Sequence, residues 1–197
     1  MADFSVILYG HSGQGVRTAG RVISRAGFIS KLNVKEWYVR EKYQRAGITA
    51  DYMRFSDKHI ETNEHLEKTD FLLVFNKLTN DIVKMCRDDG VIIANSSERI
   101  KTSYMSQHKI RCHVVDADQI AATIFGKRFP GPVMAGAFAK ISGKMSLKSM
   151  KEALKQEISY KTLGKQSFPM HGNSERISKI SESQIALEEG YKNVKLR

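Results

Sequence analysis

The residues with the clearest chemical character lie near the start of the chain. In VILYGHSGQGVRTAG (Val6–Gly20) a short apolar run ends at Gly10, and Gly13 and Gly15 follow closely. A strand that feeds a glycine turn and then a helix is a general anion-binding arrangement. Backbone N–H groups converge there, at the positive end of the helix dipole. Arg17, Arg21 and Arg25 recur at four-residue spacing, so one helix face carries three guanidinium groups. Gly10, Ser12, Gly13, Gln14, Gly15 and Arg17 are the candidate cofactor-binding residues of this loop.

Two nucleotide templates test it. A dinucleotide fingerprint needs G-x-G-x-x-G between strand and helix. Gly10 and Gly15 fill the outer places, but Ser12 fills the middle one, where a side chain crowds a pyrophosphate. Glu36 lies near the distance of the ribose-binding acid, inside a strand-like run. A P-loop needs G-x-x-x-x-G-K-[ST]. Gly10 and Gly15 have that spacing, yet Val16 stands where the phosphate-binding lysine belongs. The match is partial in both cases. An anion at the loop and simple tight packing of strand on helix both stay open.

Other chemistry is sparse. The two cysteines, Cys86 and Cys112, form no CxxC pair, and iron–sulfur clusters need runs of thiolates. Asp89-Gly90 and Asn95 sit too close together for a thiamine diphosphate motif. The six histidines are scattered, and no Ser-His-Asp set or metal-spaced cluster stands out. No catalytic or metal-ligating residue is assigned.

The elements that must position the loop follow from periodicity. FSVILY (Phe4–Tyr9), NVKEWYV (Asn33–Val39), GITADYMRFSD (Gly47–Asp57), DFLLVF (Asp70–Phe75), DDGVIIANSS (Asp88–Ser97) and IRCHVVDAD (Ile110–Asp118) are strand-like. The third alternates Ile48, Ala50 and Tyr52 with polar neighbours, which predicts one wetter face. Helices are expected over Gly15–Lys31, near Asn80–Arg87 and over QIAATIFG. Further helices are expected from Gly131, from Ser146 as N-cap through Ile158, and in ERISKISESQIALEEGYKNV. In the first, Val16, Ala19, Ile23 and Ala26 can face a sheet. In the helix from Gly131, Val133, Ala137 and Ile141 share one side. The fold class is α/β, Rossmann-like. A largely parallel sheet has helices on both faces, with helices appended at the C-terminal end. Residues 1–197 read as a single domain.

Composition bounds the partners. The chain has 197 residues, 41% hydrophobic and 27% charged, enough for one substantial core. No run approaches a membrane span, and the N-terminus lacks a signal-peptide pattern, so a reducing cytoplasm is expected. Net charge is +11, and residues 101–197 carry 17 Lys and Arg against 8 Asp and Glu. Nucleic acid, an anionic cofactor, an acidic partner or a merely solvated surface each answer that excess. The segment KISGKMSLKSMKEALKQEISYKTLGK has seven lysines but one tyrosine, which suits a basic amphipathic helix better than a base-stacking platform.

The loop does not stand alone. GHSGQGVRTAGRVISRAG resembles the opening of the gamma chain of 2-oxoacid:ferredoxin oxidoreductases, matching at Gly10, Gly13, Gln14, Gly15, Val16, Thr18 and Ala19; Ser12 replaces a usual glycine. QRAGITADYMRFSDKHI (Gln44–Ile60) resembles a second block of that family through Arg45, Gly47, Arg54, Ser56 and Asp57. A third block contributes Met134, Gly136, Ala137 and Ala139, with Gly131 in place of an asparagine. ALEEGY (Ala186–Tyr191) is similar to the family's ending. The stretch WYVREKY departs from the usual pattern.

The resemblance implies a subunit of a hetero-oligomer that converts pyruvate or a related 2-oxoacid to acyl-CoA. Thiamine diphosphate, Mg and iron–sulfur clusters are then expected on thiamine-binding and ferredoxin-like partner chains, with electrons passing to ferredoxin. This chain's share would be structural, with a contribution to a CoA site. Arg45 and Arg54 join the loop as candidates for CoA's phosphates. An NAD-type dinucleotide-binding protein, a basic nucleic-acid-binding module and a stand-alone scaffold remain as alternatives.

Overall fold

The computed structural model describes residues 3–40, 47–61, 66–163 and 173–195. The elements, in chain order, are β1 (Phe4–His11), α1 (Val16–Ile29), β2 (Asn33–Arg40), β3 (Ile48–Ser56), β4 (Thr69–Val74), α2 (Asn80–Val83) and β5 (Cys86–Asn95). There follow α3 (Ser103–Gln107), β6 (Arg111–Val115), α4 (Ala117–Phe125), α5 (Gly131–Ser142), α6 (Leu147–Leu163) and α7 (Asn173–Asn193).

The strands form one six-stranded sheet in the order β2-β3-β1-β4-β5-β6. β1, β4, β5 and β6 are parallel neighbours, whereas β3 runs antiparallel to both β1 and β2. Only β3 therefore opposes the common direction, as befits a largely parallel α/β sheet. The carboxyl ends of β1, β4, β5 and β6 all open on one edge, where open α/β sheets bind ligands.

Strand alternation builds two cores. Phe4, Val6 and Leu8 of β1, Phe71 and Leu73 of β4, and Val91 and Ile93 of β5 face α1 and the C-terminal helices. Ile7, Leu72, Val74, Ile92 and Ala94 face the other way, under α2 and α3. Val16, Ala19, Ile23 and Ala26 of α1 are all fully buried or nearly so, as their spacing predicts. Ser146 accepts a hydrogen bond from Ser149 N–H at 3.0 Å and so caps α6 as expected.

Several local features differ from the periodic reading. The alternating strand β3 has no wet face on its helix side: Thr49 and Asp51 are buried there beneath α1. The helix expected near Asn80–Arg87 stops at Val83, and β5 begins at Cys86. Asp89 takes a positive φ of 59° and the β4–β5 register shifts between Thr69 and Phe71, so the DDG turn lies inside the strand. α3, between β5 and β6, has too few residues to show periodicity. Finally, α5 is buried on every side from Gly131 to Ala139 rather than on one face.

That last feature defines how the C-terminal helices join the fold. α5 lies between the sheet and α7. A Cβ on Gly136 would fall 1.9 Å from the carbonyl oxygen of Leu187, and one on Gly190 would fall 2.0 Å from that of Val133. The α5 and α7 backbones touch through these two glycines. Among the described residues no helix is long and apolar enough to cross a membrane.

Candidate functional site

The glycine loop follows β1 at the carboxyl edge of the sheet. Gly15 sits at the N-cap of α1 with φ 83°, and Gly13 has φ 96°, backbone angles that side chains other than glycine's adopt with strain. Ser12 N–H donates to Gly47 O at 3.0 Å, tying the loop to the start of β3. The Gln14 amide braces it on both sides. Its Oε1 accepts from His11 N–H at 2.7 Å, and its Nε2 donates to Phe75 O at 3.1 Å.

The same carbonyl of Phe75 receives Nδ2 of Asn95 at 3.1 Å. Asn95 Oδ1 then accepts from the N–H groups of Ala117 and Asp118 at the start of α4, where Asp116 Oδ1 also accepts from Gln119 N–H. Asn95 thus bolts the ends of β4, β5 and β6 together. Gln14 and Gly10 have comparable packing roles; a Cβ on Gly10 would lie 2.7 Å from that of Phe75.

Gly15 meets the beginning of α5. Its hypothetical Cβ would lie 3.0 Å from the Phe129 ring and 3.1 Å from the Gly131 Cα, while one on Gly131 would lie 2.7 Å from Gly15 O. Two helix N-termini, of α1 and α5, therefore converge on one point. Neither has a side-chain cap, and neither has an acid in its first turn. First-turn N–H groups lack intrahelical acceptors, so two positive helix ends face the same region. No Cβ contact lies within 4 Å of Gly13, which leaves its backbone open. Lys127 and Arg128, both exposed, immediately precede Phe129. The sequence marks these residues as basic, but nothing in their spacing ties them to a loop more than a hundred residues earlier.

The arginine face of α1 turns out to be answered from within the chain. Arg17 Nη1 pairs with Glu36 Oε1 on β2 and lies 3.1 Å from Asp51 Oδ2 on β3. Its guanidinium also stacks 4.6 Å over the Tyr38 ring. Arg21 and Arg25 flank the Glu157 carboxylate of α6 at 3.3 and 3.2 Å. The side chains of Asp51 and Glu157 are wholly buried. Asp51 lies directly under Gly20, whose hydrogen leaves room for the carboxylate. Burial, and then the nearby charge of Glu36, push the Asp51 carboxyl up to about 8, against the pull of Arg17. Asp51 therefore holds a proton at neutral pH that a solvated aspartate has lost. Glu36, the residue nearest the ribose position of a dinucleotide fingerprint, is spent on Arg17.

The remaining candidates do not gather at the loop. Arg54 pairs in register with Ser5, five residues along β1 from Gly10, which places it roughly 17 Å away along the strand. It lines a cleft of about 500 Å³ at the opposite edge of the sheet, with Ser5, His59, Asp70 and Arg87. Asp70 there accepts from Ser5 N–H and Oγ and pairs with Arg87 at 2.7 Å. Arg45 lies outside the described residues. Ser12, Gly13, Gly15 and the α5 start are brought together; Arg17 forms the neighbouring wall, and Arg54 belongs elsewhere.

Comparison with known proteins places this arrangement. A family model described as pyruvate ferredoxin/flavodoxin oxidoreductase matches residues 5–168. The common gamma subunit of the pyruvate/ketoisovalerate oxidoreductases of Pyrococcus furiosus is 26% identical over 160 residues, covering 78% of this chain and 86% of that one. The pyruvate synthase subunit PorC of Methanothermobacter thermautotrophicus is 24% identical over 151 residues, covering 75% and 81%. Among solved structures, the pyruvate oxidoreductase subunit PORC of Thermotoga maritima superposes with a TM-score of 0.71 at 23% identity, covering 98% of this chain and 97% of that one. A 2-oxoglutarate:ferredoxin oxidoreductase from Magnetococcus marinus, described with 2-oxoglutarate, coenzyme A and succinyl-CoA bound, gives a TM-score of 0.71 at 16% identity; the match covers 96% of this chain and 30% of that longer one. At these identities the superpositions establish the fold.

Proposed function

The chain belongs to the pyruvate ferredoxin/flavodoxin oxidoreductase family, and from that premise we propose that it contributes part of the CoA site of its complex. It is the gamma-type subunit of a 2-oxoacid:ferredoxin oxidoreductase, an enzyme complex that makes an acyl-CoA from a 2-oxoacid. Two cysteines cannot ligate an iron–sulfur cluster, so the electron-carrying clusters reside on other chains, as does thiamine diphosphate. This chain alone performs no turnover.

The observation that carries the CoA reading is the convergence of two uncapped helix N-termini at Gly15 and Gly131. CoA brings a pyrophosphate and a 3′-phosphate, and such anions sit well where N–H groups and positive helix ends meet. Gly13 and Gly15 would offer backbone N–H groups, with the Ser12 N–H already held by Gly47 O. Lys127 and Arg128 would supply exposed cations for charge-assisted hydrogen bonds. Gln14 and Asn95 hold the loop rigid, and Arg17, clamped by Glu36 and Asp51, fixes its flank. When bound, CoA supplies the thiol that accepts the acyl group; the residues named here hold its phosphates and carry no part of the acyl transfer.

The test is made in the assembled enzyme. Ser12→Glu places a carboxylate on the loop, and Lys127→Ala with Arg128→Ala removes the nearby cations. A charged hydrogen bond contributes about 1.5–3 kcal/mol, so each change should raise the Michaelis constant for CoA about tenfold or more. The constant for the 2-oxoacid should stay as it was. An unchanged constant for CoA, with the complex intact, would overturn the proposal.

A further inference from the structure

The two edges of the sheet are finished differently. At β6, Lys195 N–H donates to Val114 O at 3.0 Å, so one antiparallel bridge occupies part of that edge. At the other edge, β2 has no described neighbour beyond it. It is eight residues long, contains no proline and exposes Tyr38 by 37% and Val39 by 49%. Long, flat, partly apolar edges of this kind are normally blunted, or else paired with another strand.

We propose that β2 pairs antiparallel with β2 of a second copy of this chain, with Tyr38 on the two-fold axis, so that the sheet continues across the dimer. The strand is self-complementary in that register. Tyr38 meets Tyr38, Trp37 meets Val39, and Glu36 meets Arg40 of the second copy. Each is a favourable cross-strand pair. Glu36, Tyr38 and Arg40 share the face covered by α1, since Arg17 reaches both Glu36 and Tyr38. On that face Arg17 pairs with the Glu36 carboxylate and also reaches the buried, protonated Asp51. Arg40 is exposed. Pairing brings the Arg40 of each copy to the Glu36 of the other, adding a second cation to each cluster. A closed isologous contact results, each copy giving what it receives.

Charge selects this occupant. A strand of arbitrary sequence can satisfy the β2 backbone, but it must also keep anions away from Glu36 and place apolar groups opposite Trp37 and Val39. β2 itself meets those requirements.

Site-directed crosslinking tests the register on the full-length chain. Residues facing each other across an antiparallel pair have Cα atoms about 4.5–5.5 Å apart, within disulfide range. Tyr38→Cys should therefore oxidise to a covalent homodimer, whereas Lys35→Cys, roughly 20 Å from its own copy in this register, should not. The native cysteines stay out of the reaction, because burial pushes Cys86 and Cys112 up to about 12 and 11. Sedimentation of the unmodified chain should show a dimer that Arg40→Glu weakens at least tenfold. All three variants keep every core residue, and a circular-dichroism melt checks that each is folded.

A monomer at every concentration reached overturns the proposal, as does equal crosslinking at residues 35 and 38. So does a Tyr38→Cys variant that, in the purified complex, crosslinks to a different subunit and not to itself. These outcomes are independent of the Michaelis constant for CoA.

Discussion

Replacing either glycine of the α5–α7 crossing with alanine should destabilise the fold, although alanine is the better helix former. The intrinsic preference alone favours each substitution by about 1 kcal/mol. The contact opposes it. A methyl at position 136 would lie 1.9 Å from Leu187 O, and one at position 190 would lie 2.0 Å from Val133 O. Both neighbours are backbone atoms, which cannot rotate aside as a side chain can. The helices must separate by an ångström or more, and α5 is buried all round between the sheet and α7. Overpacking in a dense core costs about 1–3 kcal/mol where side chains can yield, and here the upper end of that range applies. For a chain of this size 1 kcal/mol shifts Tm by about 2–4 °C. A net loss of roughly 2 kcal/mol after the propensity gain corresponds to a drop of about 4–8 °C.

The assay is thermal unfolding of Gly136→Ala, Gly190→Ala and the double variant. Both methyls push the same two helices apart, so the double variant should lose less than the sum of the singles. An unchanged or raised Tm in both single variants would refute the close crossing, because propensity alone gives that result.

Two other perturbations probe the buried charges, both by thermal unfolding. Glu157→Gln removes the carboxylate shared by Arg21 and Arg25. Breaking a buried pair from one side costs about 3–5 kcal/mol, but both arginines are more than a third exposed, so a loss of about 1–2 kcal/mol is expected. A Tm lowered by about 2–8 °C agrees with this, and an unchanged Tm contradicts it. Asp51→Asn tests the raised carboxyl. The folded chain keeps the Asp51 proton up to about pH 8, whereas the unfolded chain loses it near pH 4. The native state therefore binds more protons between those values, and this residue's contribution to stability falls as pH rises through that window. The variant, which has no proton to lose, should gain Tm relative to the parent between pH 5 and pH 8.5; a constant difference would show that Asp51 titrates normally.

How far the sequence reveals this structure depends on the range of each signal. Local signals are sufficient for the apolar strands, for α1 and for the Ser146 cap. Their periods of two and 3.6, and the Ser-x-x-Ser cap, act within a few residues. Asp51 illustrates a signal that misleads. Alternation assigns polar residues of β3 to water, but α1 covers that face, and only Gly20 opposite makes room for the carboxylate.

The arginine face is half legible. Its four-residue spacing puts Arg17, Arg21 and Arg25 on one surface, as observed, but the acids that answer it are distant, at 36, 51 and 157. The candidate site divides along the same line. Ser12, Gly13 and Gly15 are local and lie together. The contact of Gly15 with Gly131, and the split that leaves Arg54 at the far edge, depend on sheet order and strand direction. Gly136, and the glycine inside ALEEGY, gain a physical reason: Gly136 and Gly190 are where α5 and α7 touch.

The central claim is that this chain works as the gamma-type subunit of a 2-oxoacid:ferredoxin oxidoreductase. It is tested most directly by purifying the tagged chain at native level from its own source and identifying the chains that come with it by mass spectrometry. A thiamine diphosphate-binding chain and a cysteine-rich, cluster-binding chain in fixed proportion to it are the expected result. Isolation of this chain alone, or with chains of neither kind, would contradict it.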